Sequence, residues 1–120
     1  MHPPLKIPRT AKSPVAKRIK QARALVGLSQ RGLGLAVELD ASVASSRINQ
    51  YEQGVHAPGH GMISRIAAVT GFPVGYFFTD DDDVASVITL LSRLDAAGLE
   101  RVASYISRLP RASRKPISLR

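Results

Sequence analysis

The chain has 120 residues, no Cys and no Trp, 44% hydrophobic residues and a formal net charge of +8. Without Cys there can be no disulfide, zinc-thiolate site or thiol catalysis, and no apolar run approaches the roughly 20 residues that would span a bilayer. The hydrophobic fraction suffices for one compact core with tails, the absence of a secretion-signal core predicts a cytoplasmic protein, and the positive charge favours polyanionic partners.

Residues 1–12 read as a basic, flexible arm: Pro3, Pro4 and Pro8 are interspersed with Lys6, Arg9 and Lys12, and no apolar period is present. The basic run continues into the first helix, so that residues 1–23 hold seven basic groups and no acid. Such a block attracts a phosphate backbone largely without regard to sequence. Ser13 is the expected N-cap and Pro14 the first helical residue, after which Val15, Ile19, Ala22 and Val26 recur as an apolar stripe up to Gly27. Lys17, Arg18, Lys20 and Arg23 are expected on the other faces, Lys17 and Arg18 free to meet phosphate. A second helix starts from Ser29, with Leu33 and Val37 facing inward. Gly32 and Gly34 weaken it by roughly 1 kcal/mol each relative to Ala, so packing must hold it, and Gly34 permits a close helix approach.

The stretch from Ser42 to Gly54 carries the chemistry. Ser42 can cap a helix, Gly54 can end it in a left-handed turn, and Ala44, Ile48 and Tyr51 form one narrow apolar stripe. The remaining positions hold Ser45, Ser46, Arg47, Asn49, Gln50 and Gln53, and Glu52 is the one acid. Solvated helix faces usually mix Glu with Lys or Arg. Asn and Gln can instead make paired bonds to adenine, Arg to guanine and Ser to either, whereas a carboxylate would be repelled by phosphate. These residue types therefore suit a helix that reads double-stranded DNA, with Gln53 and the turn residue His56 near phosphate.

A Gly- and Pro-rich turn over 55–61 precedes a fourth helix built on Met62, Ile63, Ile66, Ala67 and Val69 and ended by Gly71. Pro73 opens a short fifth helix with Val74, Phe77 and Phe78 as its apolar bulk. Asp80–Asp83 reads as the start of a sixth helix, since carboxylates favour the N-terminal end of the helix dipole. Its stripe is Val84, Val87, Ile88, Leu91 and Leu94. Asp95 restarts the chain, and Leu99, Val102, Ile106 and Leu109 form a further stripe, before a basic tail over 110–120 that is expected to be disordered. No stretch alternates as a strand would, so the fold class is all-α. The two last stripes cannot bury each other alone. They must pack on the first five helices or on a second subunit, and Val87, Leu91, Leu94, Val102 and Ile106 are the expected dimer or partner surface.

The motif Arg23-x-x-x-Gly27-Leu28-Ser29-Gln30, followed by Leu33-Gly34, Ile48-x-x-Tyr51-Glu52-x-Gly54, Pro58 and Ile66-Ala67-x-x-x-Gly71, resembles the lambda-repressor-like (Cro/cI, XRE) helix-turn-helix family over residues 15–78. The resemblance implies a five-helix DNA-binding domain over 13–78, whose third helix enters the major groove, with residues 79–109 appended. It implies a homodimer on a pseudo-palindromic operator, half-sites about 34 Å apart, and a repressor associated with the nucleoid. By position, Gln30 matches the glutamine that touches phosphate and braces the recognition helix, and Ser45, Ser46 and Gln50 fall where bases are read, flanked by Arg47 and Asn49. Arg23 and Glu52 match a buried ion pair joining helix one to the end of helix three. The connection over 38–44 is longer than the family's tight turn, so either helix two extends or a true loop is present.

Catalysis finds no footing. His56 and His60 are separated by Pro58 and Gly59 with no third ligand, and neither a phosphate-binding Gly loop nor a Gly-x-Ser-x-Gly elbow occurs. No enzyme activity, metal or cofactor is expected. Two alternatives stay open: an antitoxin-like interaction protein that binds a partner through residues 84–109 and regulates itself through DNA, and an RNA-binding or coactivator-like use of the same fold.

Overall fold

The computed structural model describes residues 13–116; the arm over 1–12 and the end of the tail at 117–120 lie outside them. Among the described residues the regular elements are seven α-helices and one short 3-10 turn, with no strand, as the sequence pattern predicts. The helices are α1 (Val15–Leu25), α2 (Gln30–Ala36), α3 (Ala44–Glu52), α4 (His60–Thr70), α5 (Val74–Phe77), α6 (Asp82–Leu91) and α7 (Ala96–Ser107). Residues 13–92 form one packed unit, and 93–116 belong to a second. The boundary expected after Phe78 therefore lies beyond α6.

No helix of the first unit exceeds 11 residues, too short to stand alone in water, so tertiary burial holds them. Ile19, Leu33, Ile48, Ile63, Ile66 and Phe77 are sealed from solvent at its centre. Each such side chain contributes about 1.5–3 kcal/mol on burial. Val26, expected on the inward stripe, is exposed because α1 ends at Leu25, and the inward positions are Val15, Arg18, Ile19 and Ala22. In α5 the buried aromatics are Tyr76 and Phe77, with Phe78 turned to solvent.

Arg18 departs most from expectation. Its guanidinium is buried and donates to the carbonyl oxygens of Thr79 (2.9 Å) and Asp80 (2.8 Å) and to Gln21 Oε1 (2.8 Å), while pairing with Asp82 at 2.9 Å. It also lies 5.3 Å from the centre of the Tyr76 ring, whose hydroxyl donates to the same Gln21 oxygen. Lys17 pairs with Asp80 at 3.0 Å. The acidic run thus does two things: Asp81 caps α6 by accepting from the Val84 N–H at 2.9 Å, and its neighbours fasten α6 to α1. Ala85 is buried as α6 packs against α5, leaving Val84 and Val87 exposed and Leu91 half-buried.

In the second unit Asp95 caps α7, accepting from the Gly98 N–H at 2.8 Å. None of the α7 side chains is buried: Leu99, Tyr105 and Ile106 are exposed, as is Leu94 just before the helix, and Val102 is half-buried. The expected disordered tail contains a 3-10 turn at Arg111–Ser113.

Candidate nucleic-acid interface

The interface is built on how α2 and α3 meet. A Cβ added to Gly34 would lie 2.6 Å from the Ala44 carbonyl oxygen and 2.7 Å from its Cβ. These two backbones touch only because Gly34 has no side chain, which is the close approach expected of it. The connection between them is a true loop. Helix α2 stops at Ala36, and Glu38 takes φ +69° while its N–H bonds the Leu35 oxygen and that of Leu39 bonds the Gly34 oxygen. This double bond pattern is the usual close of a helix on a left-handed residue, but with Glu where Gly is normally found. Asp40 then accepts the Ser42 N–H at 2.9 Å and the Ser42 hydroxyl, which holds the Asp40 carboxyl below its ordinary range. Ser42 is consequently not the cap of α3. The helix starts at Ala44 behind Val43, without a side-chain cap. Its far end closes as expected on Gly54 at φ +74°, with Gly54 N–H to the Tyr51 oxygen and Val55 N–H to the Gln50 oxygen.

Four of the nine α3 residues, Ala44, Ile48, Tyr51 and Glu52, are buried. Ser45, Ser46, Arg47 and Asn49 are exposed and Gln50 is half-buried, followed by exposed Gln53 and His56. Helical spacing sets Ser46, Asn49 and Gln53 opposite the buried stripe. The one acid of the helix is thereby withdrawn from the surface. Glu52 forms a bidentate pair with Arg23, Nε to Oε2 at 2.6 Å and Nη2 to Oε1 at 3.0 Å, as the resemblance implies. Hydrogen bonding to Glu52 raises the already high Arg23 pKa, so the cation is permanent. Arg23 Nη1 adds a bond to the Leu28 carbonyl at 3.0 Å, joining α1, the start of α2 and the end of α3.

Gln30 joins this network. Its Nε2 donates to Glu52 Oε1 at 3.2 Å and to Asn49 Oδ1 at 3.1 Å. Of the residues expected to meet phosphate, Gln53 and His56 are exposed, Lys17 is half-exposed but ion-paired, and Arg18 is withdrawn altogether because its guanidinium is spent inside the domain. Arg31 on α2, which was not anticipated, is exposed and donates to the Ala41 carbonyl in the α2–α3 loop at 3.3 Å. The local signal for Arg18 was its position three residues after Val15 and four before Ala22, inside the buried stripe. Among the described residues no three His, Asp or Glu side chains cluster to hold a metal, and no helix is long and apolar enough to cross a membrane.

The fold is that of a transcriptional regulator. The crystal structure of the transcriptional regulator BswR matches with a TM-score of 0.74 and 32% sequence identity, over 82% of this chain and 98% of that one. At that identity across nearly the whole of the matched protein, this chain belongs to the same family as BswR. No family model matches the sequence, and no curated protein does.

Proposed function

We propose that this regulator binds double-stranded DNA sequence-specifically, laying α3 in the major groove, in the manner of the lambda-repressor-like proteins its motifs resemble. The observation that carries this reading is the acid-free face of α3. Ser45, Ser46, Arg47, Asn49 and Gln50 are the base-reading set, and the only carboxylate of the helix is locked beneath them by Arg23. Gln53 and His56 flank the set as backbone contacts. Binding to a pseudo-palindromic operator as a homodimer, with repression as the outcome, completes the proposal. One half-site gives weak recognition, and a two-fold partner about doubles the binding free energy. Val87 and Leu91 on α6, and Leu94, Val102 and Ile106 in the second unit, supply apolar surface for that partner.

Selection from randomised duplexes tests the reading. An enriched inverted repeat is expected, and Gln50→Ala should relax one position by about 1–3 kcal/mol. Failure to enrich any motif contradicts specific readout. The exposed apolar side chains of α7 favour one second reading, an antitoxin-like module that holds a different protein there. Co-purification of a stoichiometric partner, instead of a two-fold homodimer by light scattering, would select it.

A further inference from the structure

Residues 93–116 carry six basic side chains, Arg93, Arg101, Arg108, Arg111, Arg114 and Lys115, against two acids, Asp95 and Glu100. Asp95 is engaged locally, capping α7 through the Gly98 N–H. None of the six cations forms an ion pair among the described residues, unlike Lys17, Arg18 and Arg23 of the first unit. Their placement on α7 is ordered. Positions 101, 104, 105 and 108 are three and four apart, so Arg101, Ser104, Tyr105 and Arg108 share one side of the helix, and all four are exposed. Glu100 is the one acid that borders them. The apolar stripe of Leu99, Val102 and Ile106 faces away from this side. Beyond the helix, Arg111, Arg114 and Lys115 are exposed and continue the positive charge.

We infer that this side of α7, with the basic residues that follow it, is a second nucleic-acid contact, which binds the phosphate backbone of duplex DNA without reading sequence. The inference takes its partner from the DNA-binding reading above and rests on it. Unneutralised like charges held close together repel one another, and a polyanion with a charge about every 1.7 Å of its axis relieves that repulsion while releasing counterions. Arg, Ser and Tyr are all side chains that hydrogen-bond phosphate oxygens. A lipid surface fits less well. A helix lying on a bilayer buries its apolar side and keeps its cations at the headgroup level beside it, whereas Arg101 and Arg108 point away from the apolar stripe. The same opposition leaves that stripe open to a second subunit while the cationic side holds DNA.

Anisotropy titrations of the full-length protein against the selected operator and against a scrambled duplex, each over a salt series, test the inference. Arg101→Gln combined with Arg108→Gln keeps good helix formers at exposed positions. It should reduce the steepness of log K against log salt by about 1.8 for each bound protomer, equally for both duplexes. Arg101→Lys with Arg108→Lys keeps the charge and should restore the parental slope. Glu100→Gln, which removes the bordering acid, should tighten both complexes. The motif enriched from randomised duplexes should be the same throughout. An unchanged slope in the double Gln variant overturns the inference, as does a loss that the double Lys variant does not recover. Arginine-dependent binding that is tighter to single strands, or to phosphatidylserine-containing vesicles, than to duplex also overturns it and assigns this side to that partner. The two readings fail separately. An enriched motif with a slope indifferent to both arginines removes the second contact and leaves α3 reading DNA. Arginine-dependent binding to scrambled duplex with no enriched motif supports the second contact and removes sequence-specific readout.

Discussion

Replacing Gly34 with Ala should destabilise the first unit even though Ala is the better helix former. The added Cβ meets the Ala44 carbonyl oxygen at 2.6 Å, its Cβ at 2.7 Å and its carbonyl carbon at 2.8 Å, and two of these three are backbone that no rotamer change can move. Overpacking of this kind costs roughly 1–3 kcal/mol, and a main-chain obstacle places it at the upper end. Helix propensity returns about 1 kcal/mol. The net loss is about 2 kcal/mol, which for a unit of this size lowers Tm by about 10 °C. Thermal unfolding by circular dichroism measures it. Gly61→Ala is the control, since open space surrounds that position in α4 and the same substitution should leave stability unchanged or raise it. Adding Ala44→Gly to Gly34→Ala removes one of the three obstacles and should recover part of the loss. A Gly34→Ala protein as stable as the parent would refute the close approach of α2 and α3 as the reason for this glycine.

Glu38→Gly should stabilise by about 0.5–1 kcal/mol, because it relieves a left-handed backbone (roughly 1–2 kcal/mol) at the cost of glycine's greater unfolded-state freedom; Glu38→Ala, still strained, should show no such gain in urea unfolding. Arg18→Ala should cost about 2–4 kcal/mol through lost packing and orphaned carbonyls while leaving the DNA affinity of the folded protein at low temperature unchanged. A fall in affinity with no loss of stability would return Arg18 to the phosphate-contacting set. Burial raises the Tyr76 hydroxyl above its ordinary value near 10, so the neutral form favours folding: this contribution is complete below that value and is lost as pH rises through the raised one. An alkaline unfolding series should show the loss in the parent and a smaller one in Tyr76→Phe.

The helical architecture was legible because periodicity reports which positions are buried. Ile19, Leu33, Ile48 and Ile66 sit at the core where their spacing puts them. The Arg23–Glu52 pair was legible only through the family motif, since nothing in a single sequence brings residues 29 apart together. Arg18 was misread because a charged residue inside an apolar stripe is normally assigned to an edge, and the backbone carbonyls that receive it come from 61 and 62 residues away. Ser42 was misread for a local reason. Asp40 competes for its hydroxyl and N–H, turning a potential cap into a loop contact. The division of the last two helices, α6 on the first unit and α7 in the second, depended on small details such as Ala85 and the Asp82 carboxylate that apolar periodicity does not weigh.

The most direct test of the α3 interface is chemical-shift mapping of the 15N-labelled protein titrated with its selected duplex. The largest changes are expected at Ser45, Ser46, Arg47, Asn49 and Gln50, with the Asn49 side-chain amide among them and the interior of α4 quiet. Changes confined to α7, or absent from α3, would contradict the proposal that this helix reads DNA.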